Sequence, residues 1–120
     1  MAIHDELTQM FKDQFLADVE TMEAYCTLLG SAPYYSEAVN HLFRTFHNQK
    51  ASAGYLGFDS IFELAKNVEE VLGAMRSQNG PASLPLTEWF KRVHAQMQHW
   101  SRRFDREKRT SAFSTSARSS

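Results

Sequence analysis

The sequence predicts an all-α protein, folded as an antiparallel up-down-up-down four-helix bundle. Three observations carry that expectation. Apolar residues recur at steps of three and four in four separate segments, and no segment alternates with period two for long. The breaks between segments are short and rich in Gly, Pro or Ser. Each segment is apolar along one side only, so each must bury that side against the others, and short connections make neighbours antiparallel.

The first helix is expected over about residues 5–29, with Leu7, Phe11, Phe15, Val19, Met22, Cys26 and Leu29 on one stripe. Gly30 terminates it and "GSAP" forms a loop. The second opens near Ser36, read as its N-cap, and buries Val39, Leu42, Phe43, Phe46 and Ala53. Gly54 and Gly57 weaken and end it. The third begins around Asp59 and follows Ile61, Leu64, Ala65, Val68, Leu72 and Met75. After "SQNGPASLP", the fourth opens at Thr87 and carries Trp89, Phe90, Val93, Met97, Trp100 and Phe104. These stripes read as core, with both tryptophans at or near it and Cys26 as a small buried hydrophobe. Residues 1–104 are thus one bundle domain, and residues 105–120, basic and Ser-rich without a period, read as a flexible tail.

At 120 residues, 42% hydrophobic and 22% charged, the chain is long enough for one core and has ordinary globular composition. One cysteine rules out an internal disulfide and a cysteine metal cluster. No apolar run approaches the roughly 20 residues of a spanning helix. "MAIHDELTQMF" lacks the basic and apolar regions of a secretory signal. A cytoplasmic protein without membrane contact is expected. Net charge is −1, but acidic residues crowd the first forty positions and basic ones the last thirty. That asymmetry reads as solvated helix faces; no aromatic–basic interleaving points to nucleic acid. No Glu-x-x-His or His-x-x-x-His spacing supports a bundle metal site.

One stretch departs from a plain core helix. "FHNQKASAGYLGF" follows a histidine and a lysine with alanines, a serine and two glycines. At about 100° per residue, Val39, Leu42, Phe46 and Ala53 cluster to one side of His47, which places His47 at the flank of the core. Asn40, Phe43, Ala51 and Gly54 share its line, and Arg44 and Lys50 flank it. Neutral imidazole is a competent nucleophile near pH 7. A phosphoryl group placed on it would be stabilised by a neighbouring cation. Small residues beyond the ring would let a partner approach it.

The same residues carry a resemblance. "HNQKASAGYLGF" resembles the signature of histidine phosphotransfer (HPt) domains, roughly H-x-x-K-G-x-x-x-x-x-G and an apolar residue. His47, Lys50, Gly57 and Phe58 match; Gly54 and Leu56 suit common variants; Ala51 stands where glycine is usual, yet is small. The helical span from residue 7 to 104 also has the family's length and places the histidine on the second helix. "FDSIFELAKNVEEVL" is most similar to the third helix in the N-terminal phosphotransfer domain of chemotaxis histidine kinases. Spacing alone leaves Glu69 either half of a solvated Glu69–Glu70 pair or a partner for His47; the resemblance implies the second.

The resemblance implies a phosphoryl carrier rather than a self-sufficient enzyme. His47 would be the phosphoacceptor, with Lys50 and Glu69 beside it and Phe43, Arg44, Ala51, Gly54, Tyr55 and Gly57 on the partner-docking face. Its partners would be a response-regulator receiver domain and a sensor or hybrid histidine kinase. The carrier needs no cofactor of its own, Mg²⁺ being expected on the receiver. No Gly-rich phosphate loop is present for use of ATP. The initiating Met1 and the Ser-rich end fit a free-standing protein. A detached domain of a chemotaxis-type kinase and a non-catalytic docking adaptor are the alternatives. The four stripes are satisfied inside one bundle, so a monomer is expected.

Overall fold

Four helices and one short 3₁₀ turn account for the chain in the computed structural model, which describes the backbone of residues 2–119 and the side chains of residues 3–109. They are α1 (Ala2–Leu28), α2 (Tyr35–Leu56), α3 (Asp59–Met75) and α4 (Leu84–Ser119), with the 3₁₀ turn at Ala32–Tyr34 between α1 and α2. Among the described residues there is no strand, and no helix is long and apolar enough to cross a membrane. In this four-helix bundle α1 packs on α4 and α2, and α2 packs most extensively on α3.

The core is the meeting of the four apolar stripes. Phe15, Leu29, Val39, Leu42, Phe46, Val68, Leu72, Phe90 and Met97 are almost wholly removed from solvent. Each side chain of that size stabilises the fold by about 1.5–3 kcal/mol on burial. Leu7 is an exception to its stripe: it is exposed, at 38%, on the surface edge of α1. Cys26 is partly buried against the core, and burial pushes its thiol up to about 12. Trp89 and Trp100 pack at the core edge.

The helix ends differ from the sequence expectation in three places. Ser36 is not the N-cap of α2; the helix starts one residue earlier, after the 3₁₀ turn, and Tyr34 occupies the cap without a side-chain bond. The turn does the capping work because Pro33 pre-sets its φ and Tyr34 N–H donates to Ser31 O. α4 starts at Leu84 rather than Thr87, with the Leu86 and Thr87 amides donating to Ser83 Oγ and Ser83 O. Pro85 falls in the first turn, where its missing N–H costs nothing. Nor does α4 stop at Phe104: its backbone stays helical to Ser119. Lys12–Glu107 and Asp13–Lys108 ion pairs tie this stretch to α1, and Arg109 pairs with Asp105 one turn back. Loss of an apolar stripe removes the signal of burial, while Arg, Glu and Lys still favour helix.

The α2–α3 connection positions the site. Gly57 adopts φ +83° and closes α2 as a left-handed cap. Phe58 N–H donates back to Ala53 O at 2.9 Å. The Phe58 ring stacks on Phe11 and meets Phe104 edge-on, which anchors the turn to α1 and α4.

Candidate functional site

α2 and α3 run antiparallel in a constant register. Asn40 Oδ1 accepts from Arg76 Nε, Phe43 faces Gly73, His47 meets Glu69, and Gly54 faces Phe62. Each step up α2 is matched by an equal step back along α3, so His47 and Glu69 meet by helix geometry alone. His47 stands at the open edge of this seam, its side chain 57% exposed, while that of Glu69 is 14% exposed.

Glu69 bridges two groups of α2. Its Oε1 lies 3.0 Å from His47 Nδ1, and its Oε2 lies 2.7 Å from Lys50 Nζ. The Lys50 ammonium foremost, and then His47, hold this carboxyl below the usual glutamate range. An ionised carboxylate only accepts hydrogen bonds, so the proton of neutral His47 sits on Nδ1 and is donated to Oε1. The Nε2 lone pair is then free at the exposed end of the ring. The ring thus has one nitrogen held by a carboxylate and more than half of its side chain open to water, an arrangement that can serve a nucleophilic imidazole.

The remaining expected residues divide into groups. Ala51 and Tyr55 are exposed one and two turns beyond His47, Tyr55 at 78%. With Leu7 and Met10 of α1 they line an open apolar groove of about 510 Å³. Leu7 escapes the sequence reading because its position on the apolar stripe implies burial, and Met10 because it lies off that stripe; only the packing of α1 on α2 brings the two to one groove. Arg44 is exposed on the same α1-facing side, beside a polar cleft with His41, Thr45 and Asn48 that shares Asn48 with that groove, and makes no ion pair among the described residues. Gly57 is the cap of α2, which gives it a backbone reason. Gly54 has a packing reason as well, because a Cβ there would stand 3.2 Å from Phe62 Cδ2. Phe43 is half-buried in the seam rather than free on the surface.

Two polar residues behave in ways their spacing does not foretell. Gln49 is buried, and its Nε2 donates to Asp18 Oδ2 across the α1–α2 interface at 3.0 Å. His94 is half-buried on α4, and its Nε2–H donates to Val19 O at 3.0 Å. His99 is exposed. Among the described residues no cluster of acidic, His or Cys side chains could hold a metal ion.

Comparison with known proteins agrees with this geometry. The Hpt domain family matches residues 6–102. The chain is also similar to the chemotaxis protein CheA of Halobacterium salinarum, 41% identical over 51 residues. That match covers 42% of this chain and 8% of the archaeal protein. No solved structure matches. A bundle with an edge histidine held by a carboxylate from the next helix, together with a family match across nearly its whole helical span, places the chain in the Hpt domain family, the histidine phosphotransfer domains.

Proposed function

We propose that His47 accepts a phosphoryl group on Nε2 and exchanges it with the aspartate of a receiver domain. The observation that carries this reading is an exposed imidazole whose Nδ1–H is held by Glu69, which leaves Nε2 as its unpaired nitrogen. In the forward step the Nε2 lone pair attacks phosphorus, the P–O bond to the aspartyl carboxylate breaks, and that carboxylate leaves with the electron pair. The ring keeps its Nδ1 proton and gains positive charge, which the Glu69 carboxylate offsets at 3.0 Å. Lys50 balances Glu69 and adds positive field near the incoming phosphoryl oxygens. Phosphoryl transfer depends mainly on positioning and electrostatics, so the divalent cation and the rest of the stabilisation would come from the receiver.

The groove between α1 and α2, which begins at Asn48 and Ala51 next to His47 along α2, suits docking. Its exposed apolar residues, Leu7, Met10 and Tyr55, lie on the same face as Ala51, so a receiver seated over Nε2 would cover them. The similarity to CheA favours a second reading, in which the chain serves as the phosphotransfer segment of a larger chemotaxis-type kinase. One experiment separates the two. Wild type and His47→Gln are incubated with phosphorylated receiver domains, and separately with ATP and a chemotaxis-type catalytic domain. Labelling of wild type alone by a receiver supports the relay; labelling by the kinase domain alone supports the second reading. Equal labelling of the glutamine variant overturns the assignment of His47.

A further inference from the structure

Phe43 sits one turn before His47 on α2, where sequence position suggests a docking contact. Its surroundings assign it another task. Side chains of a helix lean toward its N-terminus, so the imidazole of His47 lies over the turn that holds Phe43. The two rings are nearly parallel, 10° apart, with centroids separated by 6.3 Å, an offset stack. The Arg76 guanidinium also lies against the Phe43 ring, its Cζ 4.4 Å from the centroid. Arg76 is itself fixed: its Nε donates to Asn40 Oδ1 at 3.2 Å and its backbone N–H donates to Leu72 O, closing α3. Phe43 is thus pinned in the α2–α3 seam.

The hydrogen bond to Glu69 holds one atom of the imidazole but leaves the ring free to rock about the Nδ1···Oε1 line. A flat neighbour opposes that rotation. We infer that Phe43, clamped by Arg76 and Asn40, is a positioning residue that fixes the plane of the His47 imidazole and so the direction of its Nε2 lone pair. The inference rests on His47 being the phosphoacceptor. It extends the site from the residues that touch His47 nitrogen to a second pair, Phe43 and Arg76, further along the same seam.

The test compares two phosphoryl donors and a measurement that needs neither. Phosphoramidate is too small to use a docking surface, whereas a phosphorylated receiver needs one. Phe43→Leu should slow labelling of His47 by both donors by the same factor, roughly three- to tenfold, the worth of an aromatic pair. Phe43→Tyr, which keeps the flat face, should stay within about twofold of wild type. Side-chain couplings and ¹⁵N shifts of His47 should show a single ring orientation in wild type and Phe43→Tyr, and averaging in Phe43→Leu. Slowing with the receiver alone would make Phe43 a docking contact and overturn the inference. Unchanged rates, or slower rates with unchanged His47 couplings, would overturn it too. If neither donor labels wild type, the phosphoacceptor reading fails, while the couplings still decide whether Phe43 orders the ring.

Discussion

Replacing Glu69 by alanine removes the acceptor of the His47 Nδ1 proton while leaving the ring in place. A hydrogen bond to a charged group contributes about 1.5–3 kcal/mol net. The His47 side chain is 57% exposed, so water replaces part of what is lost and the lower end applies. A loss of about 1.5 kcal/mol from the transition state corresponds to roughly tenfold in rate. Glu69→Gln keeps a carbonyl oxygen for Nδ1–H but loses the charge. With charge-assisted bonds about twice as strong as neutral ones, its loss is about half as large in free energy, roughly threefold in rate. The assay is the initial rate of His47 labelling by a phosphorylated receiver. The ¹⁵N shifts of the imidazole should show the Nδ1–H tautomer weakened in the alanine variant. Rates of both variants within twofold of wild type, with the tautomer unchanged, would refute the orienting role of Glu69. A dead alanine variant that remains folded would give the carboxylate a larger part in the chemistry than its geometry allows.

Two further outcomes follow from the same packing and charges. A Cβ at Gly80 would fall on the ring of Tyr35, which is buried and tied through its hydroxyl to Met75 O; Gly80→Ala should therefore destabilise by about 2 kcal/mol, and an unchanged melting temperature would refute that contact. The second outcome concerns acid. Glu69 has its pKa lowered in the fold, so its ion pairs stabilise above the ordinary carboxylate value of 4.5 and are lost as pH falls through the lowered value. The difference in Tm between wild type and Glu69→Gln, measured against pH, should be present at pH 7 and shrink below 4.5; a difference that grows in acid would contradict the sign.

Much of the site is legible in the sequence because it depends on one helix. The offset of His47 from Val39, Leu42 and Phe46 follows from 100° steps along α2, and the structure places those three inside and His47 at the edge. Glu69 is half legible: its helix and its step beside Val68 are readable, but the choice between solvent and His47 depends on the register of α3 against α2. Phe43 and Arg76 show the limit more sharply. A phenylalanine on the line of His47 looks like a surface for a partner until the third helix supplies a guanidinium to cover it. Gln49 is similar, since a polar residue in a helix has no reason to turn inward until Asp18 of α1 is opposite. Helix ends were least readable, because the caps of α2 and α4 depend on a 3₁₀ turn and on Ser83 rather than on an apolar period.

The antiparallel hairpin of α2 and α3 also bears on how the site comes into being. His47 and Glu69 are 22 residues apart, whereas the ion pairs joining α1 to the far part of α4 span 95. Closing the shorter loop costs less chain entropy, and local contacts form early in folding. The His47–Glu69 pair, Lys50 and the Asn40–Arg76 clamp all belong to one hairpin joined by two residues, Gly57 and Phe58. Those distant pairs lie on the solvent-facing rim, where each contributes little. Fraying at that end reaches the Gly57–Phe58 turn first, because Lys12, Phe104 and Glu107 line one cleft with it, and the His47–Glu69 pair lies further along the hairpin. The outer helices brace the hairpin at its turn and at Gln49, while contacts within the hairpin hold the histidine to its carboxylate.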